Sequence, residues 1–183
     1  MMPMRTRSGE PPTISIVRGD ITGQRVDAIV NAANTAMQPG GGVDGAITRA
    51  AGDEALADRR RVAAARGSPP LPTGEAVATI GGELPSRWII HTAGPVYSGE
   101  DQDQRLLAAC HVACLAVADD LGATNVAFPA ISCGIYGYPP REAAPIAIAS
   151  VLEADTAVGE IRFVLLDEAM ESTYATALAR LAK

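Results

Sequence analysis

Apolar and polar residues follow two rhythms along this chain: short apolar runs of strand length, and longer stretches with helical spacing. The short runs predict strands at Thr13–Arg18, Ala28–Asn31, Ala76–Ile80, Trp88–Thr92, Val126–Pro129 and Ile161–Leu166. The helical spacing predicts Asp44–Ala51, Asp53–Arg66, Gln104–Leu121, Arg141–Leu152 and Glu168–Ala182. Asp53 stands where a side chain can cap a helix, and Gly67 followed by SPPLP closes the other end. Pro139 and Pro140 sit at a helix start, where no N–H is needed. Strands alternating with helices predict one α/β domain over residues 13–183, with a largely parallel sheet covered on both faces. No internal repeat or linker divides it, and SPPLPTGE reads as a surface loop.

Two strand ends stand out. After Ala28–Asn31 comes AANTAMQPGGGVDG, and after Val126–Pro129 comes AISCGIYGYPP. In open α/β sheets ligands sit beyond the carboxyl ends of the strands. Both loops are rich in glycine and run into a helix N-terminus, so backbone N–H groups and the helix dipole can grip an anion. Neither loop has a lysine or arginine at its centre, which leaves phosphate recognition to backbone amides. Gly40 to Gly45 match G-x-G-x-x-G in letters, but eight residues, Ala32 to Pro39, separate the match from its strand. The acidic residue that completes a dinucleotide fingerprint is also missing. No G-x-x-x-x-G-K-[ST] occurs, and Cys133 has no loop arginine at the distance phosphatase chemistry needs, so it reads as loop packing.

Asp44 has two readings, a helix cap or a carboxylate at the mouth of a phosphate loop that orients water. Asn34 can be a turn residue bonded to its own backbone, and Asp20 a cap or turn after the first strand. Taken together, three polar residues at strand ends beside two glycine loops describe a site for a nucleotide diphosphate with polar sugars.

Composition narrows the picture in a few places. The 183 residues suffice for one domain with a substantial core. A net charge of −6 argues against a nucleic-acid partner held by counterion release, but not against a small anion held locally by amides. Cys110 and Cys114 flank His111, yet they fall on the helical stripe Leu106, Leu107, Cys110, Cys114, Val117 and Leu121, so they read as core, not metal ligands. Three cysteines and no secretory pattern predict a reducing, cytoplasmic setting. Residues 1–12 lack an apolar core of signal-peptide kind and read as a flexible tail; no stretch approaches transmembrane length.

The segments RGDIT, VNAAN, GGGVDGAITRAAG, LPTGEA, HTAGP and FPAISCGIYGYP, in that order across residues 18–139, resemble the macrodomain family and, within it, the MacroD-type branch. The resemblance implies a three-layer α/β/α sandwich around a six-stranded mixed sheet, with an ADP-ribose cleft at its top. Position by position, it implies that Asp20 accepts from the adenine amino group, that the Ile21 amide contacts the ring, and that Asn34 bonds the distal ribose. Gly41, Gly42 and Val43, with Ser132, Cys133, Gly134, Ile135 and Tyr136, would enclose the diphosphate and distal ribose. Asn31, Thr48 and Leu166 complete the implied substrate-binding set. Asp44 and Asn34 form the implied catalytic pair, Asp44 positioning and activating water.

The activity implied is hydrolysis of ADP-ribosyl esters, either O-acetyl-ADP-ribose or protein carrying mono-ADP-ribose on Asp or Glu. The partners implied are ADP-ribose or ADP-ribosylated protein, not nucleic acid or membrane, and no metal or diffusible cofactor is implied. The chain departs from the pattern at Thr48, where MacroD-type members carry histidine. It departs again at Leu166, near the place of an aromatic that packs on adenine, and at Cys133, where several relatives have threonine. A module that binds ADP-ribose without turnover is the alternative reading.

Overall fold

The structure is a computed structural model that describes residues 11–182; most of the tail expected at 1–12 lies outside them. Six strands form one sheet: β1 (Thr13–Arg18), β2 (Ala28–Ala33), β3 (Ala76–Ile80), β4 (Trp88–Ala93), β5 (Asn125–Phe128) and β6 (Glu160–Leu165). Their order is β1-β6-β5-β2-β4-β3, parallel throughout except for the antiparallel β3–β4 hairpin at one edge. Four helices are α1 (Gly42–Ala64), α2 (Asp101–Leu121), α3 (Pro140–Glu153) and α4 (Glu168–Leu181).

Side chains alternate across the sheet with the strand period of two. Ala28, Val30, Ile90, Val126, Phe128, Ile161 and Phe163 pack into the larger core with residues of α2, α3 and α4, such as Leu107, Ala147 and Tyr174. Ile29, Ile89, Ala127 and Val164 point the other way, against Ile47, Ala51 and Ala55 of α1. The result is a three-layer α/β/α sandwich. Cys110 and Cys114 lie fully buried in the larger core, as their helical spacing predicts.

Boundaries moved where pairing or capping extended an element. β2 runs two residues past Asn31, because Ala32 and Ala33 keep register with Thr92 and Ala93 of β4. β5 stops at Phe128, before Pro129, which has no N–H for a ladder. α2 begins at Asp101, ahead of the expected Gln104, and Asp103 collects the Ser98 and Gly99 amides at 2.7 and 2.9 Å. The two helices expected around Gly52 are present as the two halves of α1, which meet at a kink at that residue, whose φ of 80° and ψ of −178° are not helical. The Asp53 cap does not form among the described residues; at the break the Ala51 carbonyl accepts from the Glu83 amide at 2.9 Å. α1 ends at Ala64, short of Gly67.

Candidate functional site

β2 and β5 are sheet neighbours, but the chain leaves them in opposite directions, β2 toward the β3 edge and β5 toward β6. The crevice between two such connections is where open α/β sheets take ligands. Here it is a cleft of about 240 Å³ lined by both glycine loops: Asn34, Gly41, Val43 and Asp44 from one side, and Ser132, Gly134, Ile135 and Tyr136 from the other. Ile135 is 82% exposed, and its Cδ1 lies 3.5 Å from where a Gly41 side chain would begin, so the loops approach each other across the mouth. Ser132 holds a left-handed φ of 64°, and its buried Oγ has no partner among the described residues. A larger depression of about 500 Å³ lies between α3 and α4, lined by Arg141, Thr176 and Arg180, and carries no glycine loop.

Asp44 is neither a free cap nor an open carboxylate. It is 3% exposed and bound on both oxygens by Arg59, Nη1 to Oδ1 at 2.5 Å and Nη2 to Oδ2 at 2.9 Å. Oδ1 accepts further from Thr48 Oγ1 and Asn31 Nδ2, each at 3.2 Å. Oδ2 has no second donor among the described residues, so one of its lone pairs is unspent. Fifteen residues of straight helix would separate Asp44 from Arg59 by about 22 Å. The break at Gly52 turns the second half of α1 back and lets the guanidinium reach.

Behind the carboxylate lies a fully buried polar row. Asn31 and His91 are register partners on β2 and β4, and the strand period turns both toward α1. Asn31 Nδ2 donates to Asp44, so it also donates to His91 Nδ1 at 3.0 Å. His91 then carries its proton on Nε2 and donates to Thr79 Oγ1 at 2.8 Å. Burial, reinforced by the Arg59 charge, pushes the His91 pKa down to about 3, so the ring is neutral.

The remaining expected residues fall in three places. Asn34 sits in the cleft wall with its amide closed on the turn: Nδ2 donates to the Gln38 carbonyl at 2.7 Å, and Oδ1 accepts from the Gln38 amide at 3.1 Å. Asp20 caps the short 3-10 turn Ile21–Gly23 beyond β1, Oδ1 accepting from the Thr22 amide and hydroxyl at 2.8 and 2.7 Å. Ile21 is buried beside it, and Leu166 is 83% exposed just past β6, the strand paired with β1. Asn31, Thr48 and Cys133 do not line the cleft; Asn31 and Thr48 support Asp44, and Cys133 packs against the larger core. Gln38, Arg59 and His91 join this network through their hydrogen bonds, beyond the site residues that the sequence predicts. Arg59 had a visible signal, a charge in the i, i+4 row of Ala51 and Ala55 that α1 buries.

Similarity to known proteins bears on the same region. The Macro domain family model matches residues 30–147, which include both loops and the cleft between them. A Macro domain-containing protein of Streptomyces coelicolor is 52% identical over 165 residues, covering 90% of this chain and 98% of its own length. An O-acetyl-ADP-ribose deacetylase of Escherichia fergusonii is 46% identical over 165 residues, covering 88% and 92%. Among solved structures, a mutant Oceanobacillus iheyensis macrodomain with ADPR superposes with a TM-score of 0.86 at 39% identity, covering 96% of this chain and 97% of its own. With the matched segment running from β2 through the second glycine loop into α3, this chain belongs to the Macro domain family.

Proposed function

We propose that this protein is an ADP-ribosyl ester hydrolase, acting on O-acetyl-ADP-ribose, on proteins mono-ADP-ribosylated at Asp or Glu, or on both. The observation that carries the reading is the unspent lone pair of Asp44 Oδ2 beside the cleft. A side chain on Gly40 would begin 3.5 Å from that oxygen and 3.7 Å from Asn34 Nδ2. Glycine there leaves a space on which both groups converge. A water or ribose hydroxyl in that space can donate to Asp44 while Asn34 faces the sugar.

The rest of the ligand follows from the row of strand ends. From β1 to β2 is three strand spacings, about 14 Å, room for an extended dinucleotide-like molecule. Adenine would lie by Asp20, Ile21 and Leu166, and the diphosphate between Gly41 to Val43 and Ser132 to Tyr136, with the Ser132 hydroxyl free to donate. In the reaction, water oxygen bonds to the ester or acetal carbon at the distal ribose. The bond from that carbon to the departing oxygen breaks, and that oxygen keeps the electron pair and takes a proton. The proton lost by water passes to Asp44 or to a substrate phosphate. The match to a relative named O-acetyl-ADP-ribose deacetylase supports the same class of substrate.

A second reading, an ADP-ribose reader without turnover, is favoured by one specific observation: Arg59 occupies both Asp44 oxygens. Single-turnover assays with a mono-ADP-ribosylated glutamate substrate and with O-acetyl-ADP-ribose separate the two. Hydrolysis of either, lost in Asp44→Asn with ADP-ribose binding retained, supports the enzyme. Tight ADP-ribose binding with no hydrolysis of either substrate makes the protein a reader.

A further inference from the structure

We infer that Arg59 is the positioning residue that holds both members of the proposed catalytic pair, Asp44 and Asn34, in one frame; this rests on the hydrolase reading above. One guanidinium makes four contacts that divide between them. Nη1 donates to Asp44 Oδ1 and, at 3.3 Å, to Thr48 Oγ1. Nη2 donates to Asp44 Oδ2 and, at 3.1 Å, to the Gln38 carbonyl. That carbonyl is the acceptor for Asn34 Nδ2, and the Gln38 amide closes the ring by donating to Asn34 Oδ1. Asp44 and Asn34 come from opposite ends of the first glycine loop, and among the described residues the Gln38–Arg59 bond is the polar link between them. Arg59 is itself 3% exposed, so solvent does not loosen the fork.

The planar fork matters as much as the charge. A lysine ammonium can neutralise Asp44 from one point but cannot span two carboxylate oxygens and a carbonyl in fixed directions. Arg59 is not itself among the residues that line the cleft and would contact no substrate. Its effect would run through the angle between Oδ2 and the Asn34 amide, where a small misplacement is costly for an oriented attack.

The first test compares wild type with Arg59→Lys. ADP-ribose affinity should stay within about threefold, because the loop amides are unaltered, while the single-turnover rate should fall about 10²-fold. The second test needs no turnover. Asp44→Asn keeps the Arg59–Gln38 bond but leaves the buried guanidinium without its carboxylate, so its exchange is read at a temperature where circular dichroism shows it folded. Asp44→Asn with Arg59→Met removes the bond and leaves no buried charge unpaired. Hydrogen exchange of the Asn34 side-chain amide, followed by NMR with ADP-ribose absent, should match wild type in the single variant and quicken at least about tenfold in the double. Equal exchange in the two variants overturns the inference, as does Arg59→Lys turning over like wild type. A wild type that hydrolyses nothing would sink the hydrolase reading alone, and Asn34 exchange would still decide whether Arg59 holds the frame.

Discussion

At the residue scale, the structure turns on two small side chains, Gly40 and Thr48. Alanine at Gly40 would make ordinary contacts with Asp44 Oδ2 and Asn34 Nδ2, at 3.5 and 3.7 Å, and the backbone there is not left-handed. Gly40→Ala should therefore unfold within about 0.5 kcal/mol of wild type, yet its methyl fills the space proposed for water, so single-turnover hydrolysis should drop at least about tenfold. Unchanged turnover in a folded Gly40→Ala would move the reacting atoms elsewhere. Thr48 is short enough to admit the Arg59 guanidinium, and the void left beside Thr48, Arg59 and His91 is only about 10 Å³. An imidazole does not fit there. Thr48→His should cost about 1–3 kcal/mol by overpacking, and much less in an Arg59→Ala background. Additive costs in urea unfolding of the two singles and the double would show that positions 48 and 59 do not compete for space.

At the element scale, α1 is the decisive piece. Its break at Gly52 accepts the Glu83 amide on the Ala51 carbonyl and returns Arg59 to the N-terminus of the same helix. A methyl on Gly52 would approach Glu83 Oε1 to 2.7 Å, a flexible end that can move aside, but the φ of 80° remains strained for any L residue. Gly52→Ala should lose about 1–3 kcal/mol in chemical denaturation and slow hydrolysis as well, because straightening α1 draws Arg59 from Asp44. Gly23→Ala, on a surface turn with open space around it, is the control and should change neither. Full stability and full activity in Gly52→Ala would mean the break is not what brings Arg59 to Asp44.

At the scale of the whole molecule, two buried neutral histidines tie stability to pH. Burial holds His91 down at about 3, with Arg59 adding and Asp44 and Asp58 opposing; burial holds His111 at about 4, against its bond to the Leu107 carbonyl. The unfolded chain takes up each proton near pH 6.5, whereas the fold refuses it until far lower. Their contribution is whole above pH 6.5 and drains away as pH falls toward 4, at up to about 1.4 kcal/mol per pH unit for each ring. Urea unfolding at pH 7.5, 6 and 5 should show that decline. His111→Leu, in the core beside Phe128, should remove about half of the slope whatever it does to stability at pH 7.5. A slope equal to wild type would mean His111 does not titrate on unfolding.

The sequence by itself determined the six strands, the helices and the two glycine loops, because strand and helix periods and turn residues are local properties written into neighbours. It also carried Asp20, Asn34 and Asp44 as polar groups at strand ends, and it separated the two halves of α1 at Gly52. What it left open was the state of those groups. Whether Asp44 is a free cap or an ion pair depends on Arg59, fifteen positions away and within reach only because α1 bends. Asn31 and His91 meet because β2 and β4 pair in one register, although sixty residues separate them along the chain. Such contacts have no local signature: a buried charge is tolerated only where the tertiary fold brings it a partner, and only the packed sheet and helix fix which partner that is.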